Sequence, residues 1–114
     1  MLLDTRKQHI VFIRQRSQLD ALVTLYGLRL GRYELMTKHN IEKCLARFDE
    51  GRVKVLFVAA ALHTGWRSRL NQHQVDIHVM CFVRQEVHDQ MMGRLTFTYH
   101  HIDATGFIKD ERHG

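Results

Sequence analysis

Apolar residues fall along this chain in short bursts, and the spacing inside the bursts alternates between two periods. The first burst, Ile10-Val11-Phe12-Ile13 within residues 9–14, is β-branched and aromatic, the composition of a strand covered on both faces. The spacing then turns helical. Leu19, Leu22, Val23 and Tyr26 share one face, Ser17 stands where a side chain caps free amides, and Asp20 follows three residues on, close to a capping-box arrangement. Gly27 is the stop. Residues 31–38 predict a second, weaker strand carried by Tyr33, Leu35 and Met36. The clearest helix follows: Asn40 is its cap, Ile41, Cys44, Leu45 and Phe48 form an i, i+3, i+4, i+7 stripe, and Gly51 ends it. Residues 53–59 predict a strong buried strand, 60–74 mostly loop with Gly65 and Asn71 as breakers, and 75–83 a fourth strand around Ile77, Val79, Met80 and Phe82. Residues 86–92 read as a helix with Val87 and Met91 inward. Leu95, Phe97 and Tyr99 then alternate with Thr96, Thr98 and His100, a strand period, although the preceding helix can equally run on through Leu95.

Apolar strands alternating with helices predict an α/β fold, three layers in α/β/α order around a mainly parallel sheet with right-handed crossovers. Ligands of such sheets bind at the carboxyl ends of the strands. That rule directs attention to residues 15–17, 37–40, 60–74 and 83–86. The 114 residues carry no internal repeat or linker and predict one domain, with a core over about 9–102 and a tail at 103–114 that is loose at its end.

Composition narrows the class. A 45% apolar fraction with mixed charge argues against disorder. Two cysteines far apart, Cys44 and Cys81, exclude a disulfide scaffold and predict two reduced, buried thiols in an intracellular protein. The best membrane candidate, residues 53–62, contains Lys54 and is half the roughly 20 residues a span needs. The first residues have no apolar core of signal-peptide type, so a soluble protein without a membrane partner is expected. The net charge of +5 is concentrated: residues 1–38 hold seven Lys or Arg against three acids, Arg14 and Arg16 among them. A cationic first third favours phosphate-bearing partners such as nucleic acid or nucleotide.

Several chemistries are absent. Neither G-x-x-x-x-G-K-[ST] nor G-x-G-x-x-G occurs, so the chain lacks the usual backbone cradle for a triphosphate. Ser17 and Ser68 have no G-x-S-x-G context, Cys44 lies on a buried helix face, and Asp76 and Asp89 are isolated. Nine histidines invite a metal reading. Yet His73 and His78 are separated by four residues without H-E-x-x-H, and His100 and His101 are merely adjacent. His78 alternates with Ile77 and Val79, which reads as a hydrogen-bonded structural residue, and no metal is expected.

The segment from Val55 to Arg94 carries a resemblance. The run I-E-K-C-L-A-R-F-D-E-G at 41–51 is similar to a helix ending in R-F-x-x-G, residues 53–58 to the K-V-L-V strand after it, Gly65 to the glycine of motif V, and Gln90-x-x-Gly93-Arg94 to the start of motif VI. Residues 9–15 are similar to the strand of motif IV. In this order, over roughly residues 9–102, the chain resembles the C-terminal RecA-like lobe of superfamily 2 helicases. D-I-H-V-M followed by Q-M-M-G-R resembles helicases of large DNA viruses and phages, which implies a viral or phage protein in a host cell.

The resemblance implies ATP, with Mg2+, clamped between this lobe and a first RecA-like lobe on another chain or segment. Arg94 matches the motif VI arginine that stabilises charge developing on the γ-phosphate, and Gln90 would position it. Gly65, Gly93 and Arg94 would face the nucleotide. Thr64, Trp66 and Arg67 would face nucleic acid, as would Thr37 and Lys38 at the end of the second strand and Arg14 and Arg16 near the first. The motifs are degenerate: Phe97 stands where motif VI has a second arginine, Arg67 where an Asp or Asn follows the motif V glycine, and Ala59-Ala60-Ala61 where a Thr and an acid are common. The implied protein is a helicase half, a hydrolase only with its other lobe and inactive alone. The alternative is a non-catalytic interaction or regulatory protein on the same scaffold.

Overall fold

The computed structural model describes residues 3–95 and the backbone of 96–97, 101–102 and 108–109. Four strands, β1 (Gln8–Ile13), β2 (Tyr33–Met36), β3 (Val55–Ala59) and β5 (Val75–Val79), form one sheet in the order β2-β3-β1-β5. Every pairing in it is parallel: His9 lies opposite Val55 and Asp76, and Tyr33 opposite Val55. Helices α1 (Arg16–Tyr26), α2 (Ile41–Asp49) and α3 (Gln85–Met92) connect and cover it. Strands β4 (Ser68–Asn71) and β6 (Leu95–Phe97) pair in parallel apart from the main sheet, and β7 (His101–Ile102) and β8 (Ile108–Lys109) pair antiparallel. Among the described residues no helix is long and apolar enough to cross a membrane.

Strand alternation divides the core. Val11 and Ile13 of β1 join Val55 and Phe57 of β3 and meet Leu19, Leu22 and Tyr26 of α1 on one face. Ile10 and Phe12 join Leu56, Val58 and Met36 and meet Cys44 and Phe48 of α2 and Met91 of α3 on the other. The three-layer α/β/α order thus follows from central strands whose runs Ile10–Ile13 and Val55–Ala59 are apolar on both faces.

The element ends differ from expectation in instructive ways. Helix α1 begins at Arg16, so Ser17 lies inside its first turn and is not the cap. Gln15 precedes the helix as its cap, and Gln18 reaches back in a capping box: its Oε1 accepts from the amides of Arg14 (2.6 Å) and Gln15 (3.0 Å), while its Nε2 donates to the Met80 carbonyl at 2.8 Å. Asn40 does precede α2, but its Oδ1 accepts from the Thr37 amide (2.7 Å) and its Nδ2 donates to the Leu35 carbonyl, so it shapes the preceding turn. Residues 60–74 are more ordered than a loop. They hold a 3-10 turn (Ala60–Leu62) and β4, anchored where Ser68 Oγ and the Arg69 amide donate to the two carboxylate oxygens of Asp49 (2.6 and 3.1 Å). Helix α3 stops at Met92 and β6 follows, which resolves the ambiguity at Leu95. Residues 98–100 and 103–107 and those from 110 onward lie outside the described residues, and with them most of the tail.

Candidate functional site at the carboxyl rim

The strands' carboxyl ends are not equivalent. After β1 the chain turns onto the α1 face, whereas after β3 it turns onto the face of α2 and α3, where Trp66 and Leu70 pack. β1 and β3 are neighbours, so their connections diverge and a crevice opens above them. A cleft of 320 Å³ lies there. Arg14 lines it from the end of β1, Ala60, Ala61 and His63 from the turn after β3, and Phe82, Val83, Arg84 and Val87 from the connection into α3.

The cleft is cationic with apolar walls. Arg14 Nη2 donates to the Phe82 carbonyl at 2.5 Å, which holds the guanidinium at the rim. Arg84, the residue preceding α3, has only a long 3.8 Å contact to Glu86, with both side chains exposed, so that pair neutralises little. His63 Nδ1 lies 2.9 Å from the Ala60 carbonyl, which fixes the proton there and leaves Nε2 as a free acceptor. Among the described residues no acid lines the cleft. Phe82 is 98% exposed, contrary to the apolar strand expected over residues 75–83: β5 ends at Val79 and the chain leaves the sheet. Such a cleft suits an anion attached to a flat or apolar group.

The sequence-derived residues separate into three places. Arg14 lines the cleft and Arg16 opens α1 just after it, exposed. Thr37 and Lys38 follow β2 at the far side of the rim; Lys38 is exposed, and Thr37 Oγ1 accepts from the His39 amide at 3.3 Å. The third group is assembled by the fold from distant segments. Arg94 Nη1 donates to the Trp66 carbonyl at 2.6 Å and Arg94 Nε to the Gln90 carbonyl at 2.9 Å, which joins residues 64–67 to residues 90–94. Burial lowers the Arg94 pKa from its ordinary value, and the neighbouring Arg67 charge lowers it further.

Within this third group the residues differ in what they present. Thr64, Gly65 and Arg67 are exposed, and Gly65 sits at φ +91°. Gln90 is exposed and follows the helix backbone through its carbonyl. Gly93 has an ordinary φ, and a Cβ there would meet only the Asp89 and Gln90 carbonyls at 3.6 Å, so its backbone does not demand a glycine. Trp66 is 6% exposed: its Nε1 donates to the Leu62 carbonyl at 2.7 Å and its ring stacks on Phe12. It is a core anchor, and the exposed ring that base stacking needs is not there. Phe97 ends β6.

Sequence reasoning did not single out His63, Phe82, Arg84 or Val87. The available signal was positional, since His63 and Arg84 follow the third and fourth strands closely, where parallel sheets bind ligands. No protein-family model matches the chain, and no curated protein matches it either.

Proposed function

We propose that this chain acts as the second RecA-like lobe of a nucleic-acid-dependent ATPase of the superfamily 2 helicase type. In this reading the carboxyl rim takes phosphate-bearing ligand, and a separate first lobe supplies the phosphate cradle and Mg2+. The observation that carries the reading is the meeting of residues 64–67 with residues 90–94 through Arg94, since these are the segments that resemble motifs V and VI. A guanidinium has five N–H donors, and two of Arg94's point at the Trp66 and Gln90 carbonyls. The remaining three have no partner among the described residues and would meet a γ-phosphate brought by the other lobe. Arg14, Lys38 and Arg84 add sequence-independent attraction for a phosphate backbone.

Titration with single-stranded oligonucleotides at low salt tests the binding half. Binding that weakens steeply as salt rises is expected, with a further several-fold loss in Arg14→Ala combined with Arg84→Ala. The catalytic half is tested in an assay reconstituted with a first RecA-like lobe. There Arg94→Ala is expected to lower ATP turnover by about 10³-fold or more. No binding to nucleic acid and no association with a first lobe together remove the proposal.

A second reading, a non-catalytic interaction protein on this scaffold, is favoured by Phe97, Arg67 and Ala59-Ala60-Ala61 and by the structural use of Arg94 to hold Trp66. It expects nucleic-acid or partner binding with no ATP turnover for Arg94→Ala to diminish.

A further inference from the structure

The pairing of β1 with the edge strand β5 sets His9 opposite Asp76 and Val11 opposite His78. His9 alternates with Val11, which faces α1, so His9, Asp76 and His78 share that face of the sheet. His9 Nδ1 and His78 Nε2 are 3.0 Å apart, and one ligand atom from each of the three residues lies within 4.8 Å of the others. It is the one such grouping of His, Cys, Asp and Glu among the described residues. We propose that His9, His78 and Asp76 bind one divalent transition-metal ion of the zinc type, independently of the nucleotide and nucleic-acid reading above.

The hydrogen bonds already favour ligation. His9 is 1% exposed, and its Nε2 lies 2.8 Å from the Asp4 carbonyl, which can only accept. The proton is therefore on Nε2, and Nδ1 directs a lone pair at His78. Metal-bound histidines are oriented by this kind of bond from the other ring nitrogen to a backbone carbonyl. His78 Nε2–H now donates to that lone pair. When the ion enters, the His78 proton moves through solvent from Nε2 to Nδ1, and both facing nitrogens are bare with no net proton released.

The geometry needs little change. Two nitrogens on a tetrahedral ion at about 2.0–2.1 Å stand about 3.3 Å apart, so the pair opens by about 0.3 Å. Lys7 Nζ donates to Asp76 Oδ1 at 2.9 Å and leaves Oδ2 for the ion. Two imidazoles and a carboxylate select zinc, cobalt or nickel over calcium and magnesium, and leave a fourth position for water. His9 is the second residue of β1 and Asp76 the second of β5, so the ion lies toward the strands' amino ends and ties the edge strand to the sheet centre.

The full chain, stripped with a chelator and titrated with Zn2+, is expected to bind one equivalent in competition with a chromogenic chelator and to unfold at a higher temperature when loaded. Co2+ is expected to give the visible bands of a nitrogen and oxygen site without a thiolate charge-transfer band. Asp76→Asn, at a half-exposed position, and His78→Gln are each expected to weaken the one-equivalent binding tenfold or more, with folding checked by circular dichroism. Should His78→Gln fail to fold, Asp76→Asn decides alone. Unchanged affinity in Asp76→Asn, a thiolate band, or no binding above chelator competition overturns the proposal.

Discussion

Cys44 shows how one residue's chemistry is set by its position. It was placed on the buried stripe of α2 by spacing, and it is buried against Met36 and Phe48. Burial, with Glu34 adding to it, pushes its thiol up to about 12. Cys81, also free, is half-buried in the connection after β5, where full burial was expected. A thiol reagent at pH 8 is therefore expected to modify Cys81 first and Cys44 only at the rate of unfolding, read by mass spectrometry of the labelled peptides. The sign of the linked pH effect is fixed. In the unfolded chain Cys44 ionises near pH 9, and in the folded chain near 12, so its contribution is fully present below 9 and is lost as pH rises toward 12. Denaturant midpoints measured across that interval are expected to fall less steeply in Cys44→Ala.

Among the elements, helix ends carry the testable detail. Gln18 serves both α1 and the Met80 carbonyl beyond β5, so it couples a helix start to an edge strand 62 residues away. Gln18→Ala removes both links and is expected to cost about 1 kcal/mol, measured by urea denaturation. The spacing of apolar residues around α1 and α2 was legible because a helical stripe needs only local sequence. The capping was not, because Ser17 and Asp20 offer a reasonable local solution and lose to Gln15 and Gln18, the second of which also binds a carbonyl beyond β5. The same distinction holds at the end of α2. Gly51 was legible as a stop, and it sits at φ +84° with open space around it, so Gly51→Ala is expected to destabilise through backbone strain by about 1 kcal/mol. The clamp of Asp49 on Ser68 and Arg69, which makes a strand from a segment that reads as loop, had no local signature.

For the molecule as a whole, the sheet's interior position sets the stability. Phe57 is fully buried, edge-on to Tyr33 and among the residues covered by α1. Phe57→Ala is expected to cost about 3–5 kcal/mol in equilibrium unfolding, enough to unfold a marginal domain of this size. Exposed Leu30, at a loop tip, is expected to tolerate the same change within about 0.5 kcal/mol.

The sequence by itself determined the α/β class, the apolar central strands and the three helices. These depend on periodicity and turn chemistry, which act over a few residues. Only the tertiary structure decided that β1 lies between β3 and β5. That order brings Arg14 to the cleft and His9 to a histidine 69 positions away, and the separate pairing of β4 with β6 brings Arg94 to Trp66. Strand order is a choice among burial arrangements of similar local cost, and it is settled by how the whole apolar surface is covered. A contact made across that order leaves no trace in the spacing of its residues.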